Sequence, residues 1–432
     1  MKKLLLTVSI ALTGVAFSQE FTPHRCMSPQ AIKYQDELTP GYADHVNEQF
    51  EIAKNAPLQK SDEQYIVPVV FHVVWNTPEQ NLADSIILRQ LETLNQDFNR
   101  TNPDTVNMRS DFDIVKGNPN IKFVLAQIDE NGEPTSGITR TETSLESFAD
   151  FTVIIGGFGA LERIKQTAEG GHDPWDQSRY LNIWIGNMEL FGTTALLGYA
   201  TPPDGLPNWP AGTTDGLSDG VVVQYSVVGD NNPNEVDMGQ GPIEMKGRTL
   251  SHEVGHYLGL RHIWGDGGCT EQDGIDDTPN ATGQSDFDCD DTKNTCVDDI
   301  YGVDLPDMIE NYMDYSAETC MNSFTQGQAD LMRAVLENQR IDLIDGNPAS
   351  VPAEQLFANI YPNPTNDQLN VQVNNGSAAH YIVYDLNGKR LDMAEIHQNE
   401  FTVNVQSLEQ GIYYLHLVKD HQVVAVNKFV KM

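Results

Sequence analysis

Apolar and polar residues alternate in different rhythms along the chain, and each rhythm predicts an element. From Tyr65 to Trp75 the run YIVPVVFHVVW is β-branched and aromatic with one proline, which predicts a buried strand. His72 inside it reads as a packed core residue. From Asp84 the spacing changes, and Ile87, Leu91, Leu94 and Phe98 recur at helical intervals. That is an amphipathic helix lying on the sheet. Ile121 to Ile128 and Tyr180 to Ile185 predict further strands, with a short helix from Ala160 to Ala168 between them. Leu196 to Thr201, followed by the proline-rich stretch Pro202 to Pro210, predicts an edge strand leading into a long loop. Val221 to Val228 is another strand, and a helix opens at Arg248. Thr325-Gln326-Gly327-Gln328 is a capping box, starting a helix that carries Leu331, Met332, Val335 and Leu336.

The two ends have other patterns. Lys2 and Lys3 precede an apolar run from Leu4 to Phe17, and Ala16 and Ser18 supply small residues before Gln19, so residues 1–18 read as a secretory signal peptide. Residues 19–60 are polar and weakly patterned, a prosegment rather than a domain, with Lys54 and Lys60 available to a trypsin-like cut. After the catalytic stretch 61–345, residues 346–356 have linker composition. Beyond them come short alternating strands: Leu369 to Val373, Tyr381 to Tyr384, Phe401 to Val405, Tyr413 to Val418 and Val423 to Val426. Asn387-Gly388 provides a hairpin turn. Residues 357–432 therefore predict a small all-β sandwich behind an α+β unit.

The chemistry sits in Leu250 to His262, LSHEVGHYLGLRH. His252 and His256 stand four apart, so a helix projects both from one face. Glu253 can reach a water held on a metal there. Gly259 lets the helix stop in a left-handed turn, which brings His262 round as a third ligand. Three imidazoles leave one position of a tetrahedral zinc open, the arrangement of a catalytic site. In such an enzyme an edge strand beside the metal pairs with extended peptide, and Leu196 to Thr201 is the segment suited to it.

Charge and cysteines narrow the setting. With 62 acidic against 26 basic residues the net charge is −36, which repels phosphate backbones and argues against nucleic acid as a partner. No stretch is long and apolar enough for a transmembrane helix. Between Asp266 and Asp299 lie eleven acidic residues and one lysine, so a structural calcium is expected, with Asp276, Asp277 and Thr278 the tightest cluster. Cys269, Cys289, Cys296 and Cys320 surround the metal motif and predict two disulfides, in any of three pairings. Cys26 is left odd. Its thiolate could fill the open zinc position until the prosegment is cut.

HEVGHYLGLRH, the DDTPN run at Asp276 and NYMDYSAETCMNSFT from Asn311 to Thr325 together resemble the metzincin metallopeptidases. Within them the likeness is to the pappalysin family and its smaller, ulilysin-like prokaryotic members. The resemblance implies a mixed twisted sheet plus helices with zinc in the cleft, Met313 packed beneath the metal, and Tyr315 as a hydrogen-bond donor to the oxyanion. It also implies disulfides Cys269–Cys296 and Cys289–Cys320, structural calcium, and a zinc-blocking prosegment cysteine at Cys26. A preference for Arg or Lys just after the scissile bond follows too, recognised by an acidic residue whose place Glu318 takes. The stretch from Ala358 to Met432, through Ile360-Tyr361-Pro362-Asn363-Pro364, Gly411-Ile412-Tyr413 and Lys428-Phe429-Val430-Lys431, resembles the type A sorting domain of the type IX secretion system. The expectation is a secreted zinc endopeptidase, made as a zymogen and exported through the periplasm to the outer surface or beyond. Two alternatives accompany it: a calcium-rich surface protein without activity, and a zinc hydrolase acting on something other than peptide.

Overall fold

Eleven residues of nearly unbroken apolar character need cover on both faces, and the fold supplies it. The computed structural model describes residues 23–58, 63–150, 152–153, 157–204, 217–344, 357–374, 380–385, 389–419 and 422–432. The expected signal peptide, Lys60, the linker, the Asn387-Gly388 turn and the proline-rich loop beyond residue 204 lie outside these. Strand β1 (His24–Cys26) is followed by α1 (Ser28–Leu38), α2 (Tyr42–Asn55) and the long β2 (Tyr65–Trp75). Helix α3 (Asp84–Phe98) leads to β3 (Ile121–Leu125), β4 (Ile138–Glu142) and β5 (Leu181–Gly186). A small hairpin of β6 (Glu189–Leu190) and β7 (Thr193–Thr194) precedes β8 (Leu196–Ala200) and β9 (Val221–Gln224). Another hairpin, β10 (Val236–Asp237) and β11 (Pro242–Ile243), precedes α4 (Arg248–Tyr257) and α5 (Gln326–Glu337).

The main sheet is mostly parallel. β2 pairs with β3 along its first half and β4 along its second, with β5 on its other side, and β5 pairs with β9, all in parallel. β8 then runs antiparallel to β9 and would be the sheet's edge, except that β1 adds itself outside in parallel. On one face Val67, Val69 and Phe71 pack with Ile87, Leu94 and Phe98 of α3 and Leu250 and Val254 of α4. On the other, Trp184, Tyr199 and Val222 pack with Phe148, Leu161 and Ile164. Each fully buried side chain of this size contributes roughly 1.5–3 kcal/mol, which is why α4 is held rigidly under the sheet.

Three elements differ from expectation. The residues from Ala160 to Ala168 belong to 3₁₀ turns (Phe158–Lys165 and Thr167–Glu169), because Phe158, Leu161 and Ile164 recur every third residue. The strand from Val221 ends at Gln224, whose buried amide oxygen accepts from the Met188 N–H at 2.6 Å while its nitrogen reaches Ser226 Oγ. The stretch expected to be a weakly patterned prosegment holds a strand and two helices. Val46, Phe50 and Ala53 form a short apolar stripe that gains its stability from packing on the rest of the chain, not from intrinsic propensity. Lys54 lies in the last turn of α2, with Nζ 3.2 Å from Asp276, so it is helical and not extended as a protease would need it.

Residues 357–432 fold as a three-stranded sheet, β12 (Phe357–Tyr361), β13 (Gln368–Asn374) and β16 (Glu400–Asn404), over a four-stranded one, β14 (His380–Tyr384), β15 (Arg390–Glu395), β17 (Gly411–Lys419) and β18 (Gln422–Lys431). Leu369, Val371, Val403, Leu415, Leu417 and Phe429 fill the space between them. β15 escaped sequence reading because it is an exposed edge with charges at Arg390, Asp392 and Glu395, the composition that discourages further pairing. Among the described residues no helix is long and apolar enough to cross a membrane.

Candidate active site

Helix α4 puts His252 and His256 on one face. It ends in a Schellman turn: Gly259 has φ +93°, its N–H reaches His256 O, and Leu260 N–H reaches Gly255 O at 2.9 Å. That reversal brings His262 back to the pair. Nε2 of His256 lies 3.1 Å from Nε2 of both His252 and His262.

The tautomers follow from the other ring nitrogens. Nδ1 of His252 faces Tyr312 O at 2.7 Å and Nδ1 of His256 faces Leu260 O at 2.8 Å, and carbonyls only accept, so both Nδ1 atoms carry the proton. Nδ1 of His262 donates to Asp266 Oδ1 at 2.7 Å. Three Nε2 lone pairs therefore point at one another with no proton between them. Only a cation makes that favourable, and tetrahedral zinc with bonds of about 2.0–2.1 Å would hold its nitrogens roughly 3.3 Å apart. Burial, more than any neighbouring charge, keeps His252 well below the usual histidine range and takes His256 down to about 3, so both stay neutral as ligands must.

A fourth donor joins them. Cys26 Sγ and the three Nε2 atoms all lie within 4.8 Å of one another, all buried. β1 delivers it, with Cys26 opposite Gly198 of β8. Glu253, fully buried, approaches from beneath the same strand. A Cβ on Gly198 would meet its Cγ at 2.8 Å and Val222 O at 2.9 Å, so only glycine fits there. Glu253 Oε2 lies 3.4 Å from Cys26 Sγ and accepts from Ser28 Oγ at 3.0 Å, while Oε1 has no protein partner. Burial raises its pKa to about 8, opposed by those hydrogen bonds and by Arg25.

The methionine turn closes the floor. Met313 is fully buried, and a Cβ on Gly255 would strike its sulfur at 2.4 Å, so the glycine inside HEVGH is what lets the helix rest on it. Tyr315 packs its ring against His262 (5.0 Å between centroids) and Trp264 (4.9 Å), and its hydroxyl points to Cys26 O at 3.5 Å. The structure contains disulfides Cys269–Cys296 and Cys289–Cys320.

Two expected residues sit elsewhere. Glu318 does not offer its carboxylate to a pocket. Oε1 accepts from Thr249 N and Oγ1 at 2.6 and 2.7 Å, and Oε2 from Lys246 N and Arg248 N at 2.5 and 3.0 Å. It is the anion at the N-terminus of α4, which has Gly247 at its cap and no acidic residue in its own first turn. Asp276 is exposed and turned to Lys54. The buried carboxylates of the acidic stretch are Asp273 and Asp277, each with one oxygen unpartnered, beside the buried Thr278.

Several residues at the site carried no signal in the sequence. Arg25 is 5 % exposed, donating to Ser316 O at 2.5 Å and lying 4.6 Å over the Phe287 ring, with the charges of Glu318 and Asp314 near it. Ser28 and Asp266 are the others.

Three imidazoles on a helix and its return turn, a buried carboxylate beside them and a methionine floor define a zinc metalloendopeptidase of the metzincin kind. Residues 166–337 match the peptidase family described as pregnancy-associated plasma protein-A, and residues 359–432 match the secretion system C-terminal sorting domain. Mature mirolysin of Tannerella forsythia, solved in complex with a cleaved peptide, is 37% identical at TM-score 0.55, over 67% of this chain and 98% of that one. A promirolysin variant is 34% identical at TM-score 0.60, over 74% of this chain and 97% of that one. An extracellular metalloprotease of Arthroderma benhamiae is 27% identical over 316 residues, 72% of this chain and 86% of its own length. The chain belongs to the pappalysin family. It is a secreted zinc metalloprotease with a C-terminal sorting domain.

Proposed function

We propose that the mature chain cuts peptides just before arginine or lysine, and that the form described here is its latent precursor. Arg25 carries this reading. A guanidinium buried beside the metal ligands needs a pocket with acceptors and an aromatic wall, and Ser316 O, Phe287 and Tyr315 supply them. Glu318 acts on that pocket only through its charge. The pocket that holds Arg25 in the precursor would take the basic side chain after the scissile bond once the prosegment has gone. Substrate would then add to β8 as an edge strand.

His252, His256 and His262 would hold the zinc, which would supply Lewis acidity and lower the pKa of water at the site. Glu253 takes the proton of the attacking water and passes it to the departing amine. Tyr315 donates to the carbonyl oxygen as charge develops there; in the precursor its hydroxyl already faces a carbonyl, that of Cys26. Met313 and Gly259 are structural. Cys26 blocks the open position of the zinc in the latent form. The sorting domain hands the chain from the periplasm to the type IX machinery.

The test is a mixed peptide library digested by the mature chain, with cut sites read by mass spectrometry with and without a zinc chelator. Arg or Lys after nearly every cut is expected. Scattered cuts, or cuts before apolar residues, would remove the pocket assignment.

A structural calcium is proposed at Asp273 and Asp277 with Thr278, in place of the exposed Asp276, because two buried carboxylate oxygens there lack partners. Burial raises Asp273 to about 8. An acid raised on folding favours the unfolded chain as pH climbs, so without a cation stability should fall from roughly pH 4, the unfolded value, towards 8. Calcium at about a hundred times its dissociation constant should restore roughly 2.7 kcal/mol. At pH 8 that is a Tm rise of about 4 °C for a unit of this size. Scanning calorimetry of the chain and of Asp273→Asn checks it: a variant that gains as much as the parent would place the cation elsewhere.

A further inference from the structure

We infer that Ser28 is a second lock on the latent enzyme, holding the catalytic base while Cys26 holds the metal position. The inference rests on the latency reading above and adds a residue that acts on a different atom.

Ser28 is the first residue of α1, 4 % exposed, and its hydroxyl has three neighbours. Ala200 N of β8 lies at 2.8 Å, Glu253 Oε2 at 3.0 Å and Cys26 Sγ at 3.3 Å. A hydroxyl has one hydrogen to give. A backbone N–H can only donate, so towards Ala200 the oxygen accepts; of the two acceptors left, Glu253 Oε2 at 3.0 Å is nearer than the sulfur at 3.3 Å, which the Ser28 N–H already serves, so the single hydrogen goes to Glu253. Cys26 also lies within reach of Glu253 Oε2, at 3.4 Å, but only as a thiol; a thiolate serving as metal ligand has no proton to offer. The two residues therefore divide the work. With the sulfur committed to the metal position, Ser28 is the one prosegment donor left on Glu253 Oε2.

The consequence for catalysis is direct. Ser28 engages Oε2, and Cys26 fills the space beside it, so that oxygen has no room to receive a proton from water. The same hydroxyl accepts from the Ala200 N–H, an edge-strand donor that extended substrate would otherwise use. One small side chain thus occupies the base and a substrate hydrogen bond together.

The test uses the full chain and reads Cys26, the one free cysteine of five, as a reporter. The thiol is buried, so iodoacetamide reaches it only when the prosegment lifts. Alkylation of the intact chain is followed by mass spectrometry in the parent, Ser28→Ala, Glu253→Ala and the double variant. Ser28→Ala should speed labelling about tenfold or more where Glu253 is present, the loss of one hydrogen bond to a charged group. In the Glu253→Ala background it should do so only about two- to threefold, through the contacts with Ala200 N and Cys26 Sγ that remain. Equal acceleration in both backgrounds, or none in either, would overturn the Ser28 assignment and leave latency standing. Immediate labelling of the parent chain would overturn the latency reading and this inference together.

Discussion

Glu253→Ala should lower kcat of the mature chain by about 10⁴, the upper range for loss of a positioned acid–base group, with zinc content unchanged. In the proposed mechanism the carboxylate serves both proton transfers, to and from the reacting groups, so its loss would be felt whichever step limits the rate. Its surroundings agree with that task. In the precursor it is completely buried and its Oε1 has no protein partner, so that oxygen is placed to meet a water once the covering segment leaves. Tyr315→Phe is the internal comparison. It removes one donor to a developing oxyanion and should cost about 10²–10³, leaving measurable turnover. Metal analysis by atomic absorption separates the cases. Glu253 donates to no zinc-binding nitrogen, so Glu253→Ala should still carry about one zinc per chain. Loss of metal from it would mean that the residue supports the site instead of acting in it.

The zinc site was legible in the sequence because its geometry is local. His252 and His256 share a helical face by spacing alone, and Gly259 marks the reversal that returns His262. The strand from Leu196 was legible too, but not its position: β1 pairs outside it, so it is not the edge of the sheet in this structure. What stayed hidden depends on contacts between distant segments. Ser28 meets Glu253 across 225 residues, and Glu318 meets the start of α4 across about 70. No periodicity records such pairings. Glu318 shows the hazard of transferring a role by position: near the right pocket, its carboxylate was already committed to four donors. Which way Asp276 and Asp277 face could not be read from the sequence, because neighbours in a loop point different ways. Asp277 turns inward to Gly327 N at 2.9 Å, while Asp276 faces solvent and Lys54. The prosegment helices were missed because their apolar stripe is short and meaningful only against the surface it covers.

Cys26→Ala should shorten the lag before the purified precursor matures by about a hundredfold. The argument turns on what holds the thiol where it is. Burial raises the Cys26 pKa well above the usual thiol range, and the neighbouring charge of Glu253 raises it further. Without a cation that sulfur would be a neutral thiol in a polar cleft, a poor anchor. With one, the thiolate bond outweighs the desolvation that otherwise opposes ionisation. Removing the ligand therefore removes the strongest single tie between prosegment and cleft. Losing about 2.7 kcal/mol of docking raises the open fraction a hundredfold, and maturation proceeds from that fraction. Latency should not vanish, since Arg25 stays in its pocket, Ser28 stays on Glu253, and Phe50 keeps the guanidinium of Arg261 stacked 3.8 Å over its ring. Electrophoresis of precursor against mature chain over time measures the lag. Cys26→Ala combined with Glu253→Ala should not mature at all if the first cut is made by another copy of the same chain. A lag unchanged by Cys26→Ala would show that the helices and Arg25 alone keep the cleft closed, and that the sulfur contributes nothing to latency.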